Sequence, residues 1–105
     1  MSWHVYMLRN ERNALYTGVA KNPIARYNEH LKGGRKAAKY TRAARSLELV
    51  YSVEADSKSA AYKIESAIKR LKKDRKEQIV VMQPALSELR QILFQKDLLG
   101  DHSDS

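Results

Sequence analysis

Two β-rich runs near the N-terminus, joined by four polar residues, restrict the fold of this chain more than any other feature. The runs are Trp3-His4-Val5-Tyr6-Met7-Leu8-Arg9 and Leu15-Tyr16-Thr17-Gly18-Val19, and Asn10-Glu11-Arg12-Asn13 lies between them. β-branched and aromatic residues flanking a short polar turn predict a β-hairpin. Each run carries a short tyrosine motif, His4-Val5-Tyr6 and Tyr16-Thr17-Gly18, with the tyrosines ten residues apart. A hairpin would bring both phenols close on one sheet. Packing of a sheet face is the ordinary use of strand tyrosines; two phenols at one spot are also candidate chemistry.

Asn22-Pro23 reads as a helix start, with Asn as N-cap and Pro at the first helical position. The helix is expected over residues 23–31, ending at Gly33-Gly34, with Ile24, Tyr27, Asn28 and Leu31 on one stripe and three of these suited to burial. Arg26 and His30, four residues apart, share a different face. Together they are expected to face the open edge of the sheet. Leu47-Glu48-Leu49-Val50-Tyr51-Ser52-Val53 reads as a third strand, and its apolar content points to a central position. Ser57 is placed to cap a long helix from Lys58 to about Lys73, with Ala60, Ala61, Ile64, Ala67, Ile68 and Leu71 as its apolar stripe. Asp74 is expected to cap a further helix through Met82. Pro84 opens a last helix, with Leu86, Leu89, Ile92, Leu93 and Leu99 inward, ending at Gly100. Asp101 to Ser105 forms a polar tail.

The order ββαβααα predicts an α+β fold: a small three-stranded antiparallel sheet flanked by helices. With 105 residues there is room for one domain and one core. The expected division is a domain over residues 1–82, with the C-terminal helix and tail of residues 83–105 packed on it.

Twenty Lys and Arg against twelve Asp and Glu give a net charge of +8. A polyanion is the expected partner, and nucleic acid comes first, because neutralised phosphates release counterions. Charge alone does not choose between DNA and RNA. No apolar run is long enough to span a membrane and none resembles a secretory leader, so a soluble cytoplasmic protein is expected. A monomer is favoured, although the stripe from Leu86 to Leu99 could serve a second copy. The absence of cysteine excludes disulfide and thiolate chemistry.

Residues 32–45 carry six cations and no acid. They read as a basic loop, with a turn of helix near Ala37 to Lys39, in which Arg35, Lys36, Lys39, Tyr40, Thr41 and Arg42 could track a phosphate backbone and offer one stacking surface. Lys21 and Lys69 join the expected nucleic-acid contacts. Glu65 is the only acid between Asp56 and Asp74. It could simply pair with Lys69, or it could be the one protein ligand of a magnesium ion that keeps its waters and substrate phosphates. Arg26 has a planar fork suited to phosphate, and His30 can move a proton near neutral pH. His4 shares the expected face of Tyr6. Trp3 reads as core or sheet edge. No Cys/His cluster for zinc, no Gly-rich nucleotide cradle and no nucleophile elbow is present.

Taken in order, these features resemble the GIY-YIG nuclease family. His4-Val5-Tyr6 and Tyr16-Thr17-Gly18 stand where its two tripeptides would be. Arg26, His30 and Glu65 stand where the family has its arginine, histidine and metal-binding glutamate. The resemblance covers roughly residues 3–80 and is closest to small stand-alone bacterial members, which carry a segment like Lys39-Tyr40-Thr41-Arg42 before the third strand. His4 replaces the first glycine and Thr17 an isoleucine. Val19 stands where some members, such as the excision-repair nuclease, have a lysine, a space that Lys21 is placed to reach.

The resemblance implies a metal-dependent endonuclease acting on DNA in repair or recombination, directed by structure or weakly by sequence. In it Glu65 would hold Mg²⁺ or Mn²⁺ and Tyr16 would position or deprotonate water. Tyr6 would share that network, Arg26 would neutralise transition-state charge and His30 would assist. The competing readings are a nucleic-acid-binding module with a degenerate site, and a protein-interaction or ribosome-associated role through the C-terminal helices.

Overall fold

A computed structural model describes residues 2–32 and 46–94. Strands β1 (Trp3–Asn10) and β2 (Leu15–Ala20) form the expected hairpin, with Val5 opposite Val19, Tyr6 opposite Gly18 and Leu8 opposite Tyr16. Its turn is closed by Asn10, whose side-chain oxygen accepts from the backbone N–H of Arg12 at 2.9 Å and of Ala14 at 3.0 Å. Asn13 takes a left-handed φ of 68°, a conformation that Asn tolerates better than most residues.

Strand β3 (Leu47–Ala55) pairs antiparallel with β1, and the strand order is β2-β1-β3. The third strand is therefore an edge, not the centre as its apolar content suggested. The central strand is β1, where four consecutive residues, Val5 to Leu8, are buried. Such a run marks a strand covered on both faces. β3 keeps Glu48, Ser52 and Glu54 exposed.

The apolar alternation of β3 has a second use. The pairing skips a residue between Met7–Tyr51 and Leu8–Leu49, leaving Val50 as a bulge. One extra residue reverses which face the side chains meet. Tyr51 and Ala55 thus join one core with Val5 and Met7, while Leu47 and Leu49 join the other with Tyr6 and Leu8.

The first of these cores is closed by three helices, α2 (Lys58–Lys69), α3 (Lys73–Met82) and α4 (Leu86–Phe94), through Ala61, Ile64, Ile68, Ile79 and Leu89. Complete burial of a Leu or Ile side chain stabilises by ~1.5–3 kcal/mol. Ser57 caps α2 as expected, its hydroxyl accepting from Ala60 N–H at 3.1 Å. The helix stops at Lys69, short of the expected Lys73, and Lys72 turns extended to start α3. Continuing it would have stacked Lys69 under Lys73, a like-charge pair one turn apart. Lys73 instead pairs with Glu77, which Arg9 of β1 also holds at 2.7 and 2.8 Å. Asp74 sits inside the first turn of α3 and is not its cap. Pro84 is buried ahead of α4, which begins at Leu86, with Leu86, Ile92 and Leu93 partly buried around Leu89. Leu99, Gly100 and the tail lie outside the described residues.

Helix α1 (Pro23–Lys32) lies on the other sheet face, started by Asn22, whose side chain accepts from Ala25 N–H at 3.1 Å. Its buried stripe differs from the expected one. Pro23 and His30 are buried and Tyr27 is partly so, while Ile24 is 65% and Leu31 50% exposed. A hydroxyl accounts for part of this choice: Tyr27 donates to the Leu47 carbonyl at 2.9 Å, and that bond turns the His30 side of α1 onto the sheet. The architecture is α+β in the order ββαβααα, with the sheet between α1 and the three later helices.

Candidate active site

Antiparallel pairing puts Tyr6 and Tyr16 on the sheet face that α1 covers, because Tyr6 faces Gly18 and Leu8 faces Tyr16. Their ring centres lie 6.4 Å apart. Helix α1 adds His30 from above, 6.1 Å from the Tyr6 ring and edge-on to Tyr16 at 5.4 Å. The Tyr6 hydroxyl and His30 Nε2 share a buried hydrogen bond of 3.0 Å. Arg26, one turn earlier on α1, is half-buried and acts on the Tyr6 phenol by charge and hydrogen bond. Four of the five expected catalytic residues thus converge on one spot.

Burial sets the protonation of the two innermost groups. Tyr6 is 1% exposed, and its phenol is pushed up to about 12 by burial and then by Tyr16, against the pull of Arg26. It is a hydroxyl at neutral pH, not a base. His30 is 2% exposed, and burial together with the Arg26 charge holds its imidazole below the ordinary histidine value. It is neutral at neutral pH and able to accept a proton. Arg26 remains a cation. Burial alone would weaken its hold on the proton, but Glu29, at 2.7 Å, and Tyr6 outweigh that.

Glu65 comes from α2 at the β2 edge. It is half-buried, and its carboxylate lies 3.2 Å from Lys69 Nζ. The same ammonium stands 6.0 Å from the centre of the Tyr16 ring. Lys69 therefore links the carboxylate to the Tyr16 side of the cluster. Among the described residues no group of three His, Cys, Asp or Glu could hold a metal ion. A single carboxylate still fits Mg²⁺, which commonly binds through one or two carboxylates and takes its other ligands from water and phosphate.

Lys21 lies over the Trp3 ring at 5.3 Å, beside Lys58 at 5.2 Å, and the cation standing over Tyr16 is Lys69. His4 shares the Tyr6 face, and its buried Nδ1 has no hydrogen-bond partner. Arg35, Lys36, Lys39, Tyr40, Thr41 and Arg42 fall outside the described residues. Two groups went unnoticed in the sequence. Glu29 holds Arg26, and its i,i+3 spacing was the available signal. Lys76 reaches from α3 to a cavity beside Tyr16, for which the sequence held no signal.

Comparison with known proteins gives the family. The GIY-YIG catalytic domain family matches residues 2–78. A UPF0213 protein of Yersinia pestis (strain Pestoides F) is 40% identical over 84 residues, spanning 80% of this chain and 86% of that protein. The UPF0213 protein of Yersinia pseudotuberculosis serotype O:1b (strain IP 31758) matches over the same shares of the two chains, also at 40%. The solution NMR structure of the UPF0213 protein from Bacillus halodurans is similar with a TM-score of 0.52 at 31% identity, covering 90% of this chain and 98% of that one. A tyrosine pair, an arginine and a histidine gathered on a three-stranded sheet, in a chain matched by that domain family along most of its length, make this protein a member of the GIY-YIG nuclease family.

Proposed function

We propose that this chain is a metal-dependent endonuclease that hydrolyses phosphodiester bonds in DNA, recognising DNA shape or a weak sequence preference, in repair or recombination. The observation that carries the reading is the convergence of Tyr6, Tyr16, Arg26 and His30, with Glu65 tied to the same side through Lys69. The net charge of +8 supports a nucleic-acid substrate, and membership of the nuclease family puts DNA ahead of RNA. Among the described residues no helix is long and apolar enough to cross a membrane. The working unit is taken as residues 1–82 with residues 83–105 packed on it, acting as a cytoplasmic monomer.

In this mechanism Arg26 neutralises charge that grows on the scissile phosphate, held in place by Glu29. Tyr16, only half-buried, orients the attacking water. His30, kept neutral by burial, receives the proton directly or through the Tyr6 hydroxyl, which shuttles but does not ionise. Glu65 would hold the Mg²⁺ or Mn²⁺, which when bound supplies charge stabilisation to the phosphate and the leaving oxygen. Lys69, half-exposed, forms the kind of helix pair worth only ~0.3–0.5 kcal/mol, so it yields the carboxylate readily.

A second reading, a nucleic-acid-binding module without catalysis, is favoured by that same Glu65–Lys69 pair, which occupies the carboxylate. One experiment separates the two. Plasmid, branched and single-stranded DNA are incubated with Mg²⁺, Mn²⁺ or EDTA, using wild type, Glu65→Ala and Arg26→Ala. Cleavage that needs metal and drops at least ~100-fold in both variants supports the nuclease. Equal metal-dependent cleavage by wild type and Glu65→Ala removes Glu65 from the site. Binding with no cleavage in any metal leaves the module.

A further inference from the structure

Beside Tyr16, on the β2 edge, lies a cavity of about 400 Å³ lined by Leu15, Tyr16, Thr17, Lys69 and Lys76. Its two cations come from different helices, Lys69 from the last turn of α2 and Lys76 from the middle of α3. Lys76 is partly buried, yet it belongs to none of the ion pairs among the described residues, whereas Lys69 pairs with Glu65 and Lys73 with Glu77. The stretch from Lys69 to Glu77, which borders the recess, holds six cations and two acids, a net charge of +4. Concave sites lined by one sign of charge concentrate the opposite ion. Lys76 lines the recess and has no carboxylate partner among the described residues, so its charge is available to an anion brought from outside.

We propose that this recess is a discrete site for one backbone phosphate of the nucleic acid, adjoining the phosphate that Tyr16 and Arg26 address, with Lys76 as its principal ligand and Lys69 as the cation shared with Glu65. The proposal rests on the nucleic-acid reading above. It gives Lys76 a positioning role: it fixes the register of the strand against Tyr16 and takes no part in proton transfer.

The test measures binding of a short DNA duplex by fluorescence anisotropy in EDTA, where nothing is cleaved, over a series of salt concentrations. The full chain is used as wild type, Lys76→Ala, Lys76→Gln and Lys63→Ala. Lys63 is the control, an exposed cation on the side of α2 turned toward Arg90 and Phe94. Loss of one phosphate contact lowers the slope of log affinity against log salt by about 0.9 on duplex DNA. That loss is expected in both Lys76 variants and absent in Lys63→Ala. Duplexes carrying a single neutral methylphosphonate, moved one position at a time, should include one position that weakens wild type and is silent in Lys76→Ala. An unchanged slope in both Lys76 variants overturns the proposal, and so does a lowered slope with no position that is silent only in the variant. Cleavage by wild type is measured separately with Mg²⁺ or Mn²⁺. Its absence beside the expected slope loss overturns the nuclease and leaves the phosphate site; its presence with an unchanged slope does the reverse.

Discussion

The phenol of Tyr6 occupies the space that a side chain at residue 18 would fill. A Cβ on Gly18 would stand 2.6 Å from the Tyr6 hydroxyl oxygen and 2.7 Å from the ring carbon that bears it. The two residues face each other across β1 and β2, so the closeness is built into the register. The glycine of the second tripeptide is thus needed for room, and its backbone is not in the left-handed region. The tyrosine of the first tripeptide and the glycine of the second are halves of one contact.

Gly18→Ala is expected to push the phenol off its bond with His30. The ring is rigid, 1% exposed and packed against both Tyr16 and His30, so it cannot swing aside freely. Overpacking of this kind costs ~1–3 kcal/mol, partly offset by ~0.4–1 kcal/mol from the stiffer unfolded chain. Urea denaturation should show a net loss. Cleavage should fall by more than the folded fraction does, because the Tyr6–His30 geometry is lost even in folded molecules.

Tyr6→Phe separates the hydroxyl from the ring. The packing stays, but the Tyr6–His30 hydrogen bond is lost, at a cost of ~0.5–1.5 kcal/mol. Chemical denaturation measures that loss. With the phenol pushed up to about 12, the pH profile of cleavage below pH ~9 should have the same inflections in wild type and variant. An inflection that disappears with the hydroxyl would make Tyr6 the titrating base.

His30 gives stability a pH dependence on the acid side of neutral. Its folded pKa lies below the unfolded value of 6.5, so the unfolded chain binds the proton more readily. The stabilisation is complete above pH 6.5 and is lost as pH falls from there through the folded pKa. Denaturation curves from pH 8 downward should show a slope starting near 6.5 that His30→Gln removes.

Glu77 sets a second, lower window. Arg9, and then Lys73, hold its carboxyl down at about 2 against an ordinary 4.5, with burial opposing. Stability from this group is present above pH 4.5 and lost as pH falls toward 2. Arg9→Ala should flatten that window. At neutral pH it should lower stability by ~1 kcal/mol, since the fork is bidentate but open to solvent screening. A melting temperature lower by ~4–8 °C corresponds to that loss.

Local signals were legible because they are short-range. The hairpin, the Asn22-Pro23 start, the Ser57 cap and the apolar stripe of α2 each depend on neighbours within a turn or two. So did the convergence of Arg26 with His30, which one helical turn guarantees. Two expectations failed for a common reason. Central or edge position in a sheet depends on which strand finds partners on both sides, and four consecutive buried residues in β1 revealed that only after folding. The face that α1 buries was decided by the Tyr27 hydroxyl reaching the Leu47 carbonyl and by His30 reaching Tyr6, against the apolar pull of Ile24 and Leu31.

Residue type and spacing alone, then, determined the element order, the α+β class and the tyrosine–arginine–histidine set, because backbone preference and periodicity act along the chain. Tertiary structure decided the strand order, the bulge at Val50, the face that α1 buries and the meeting of Lys69 and Lys76 beside Tyr16. Those depend on which distant groups share a contact, and electrostatic and hydrogen-bond partners are chosen by distance in space, which the linear order of residues does not encode.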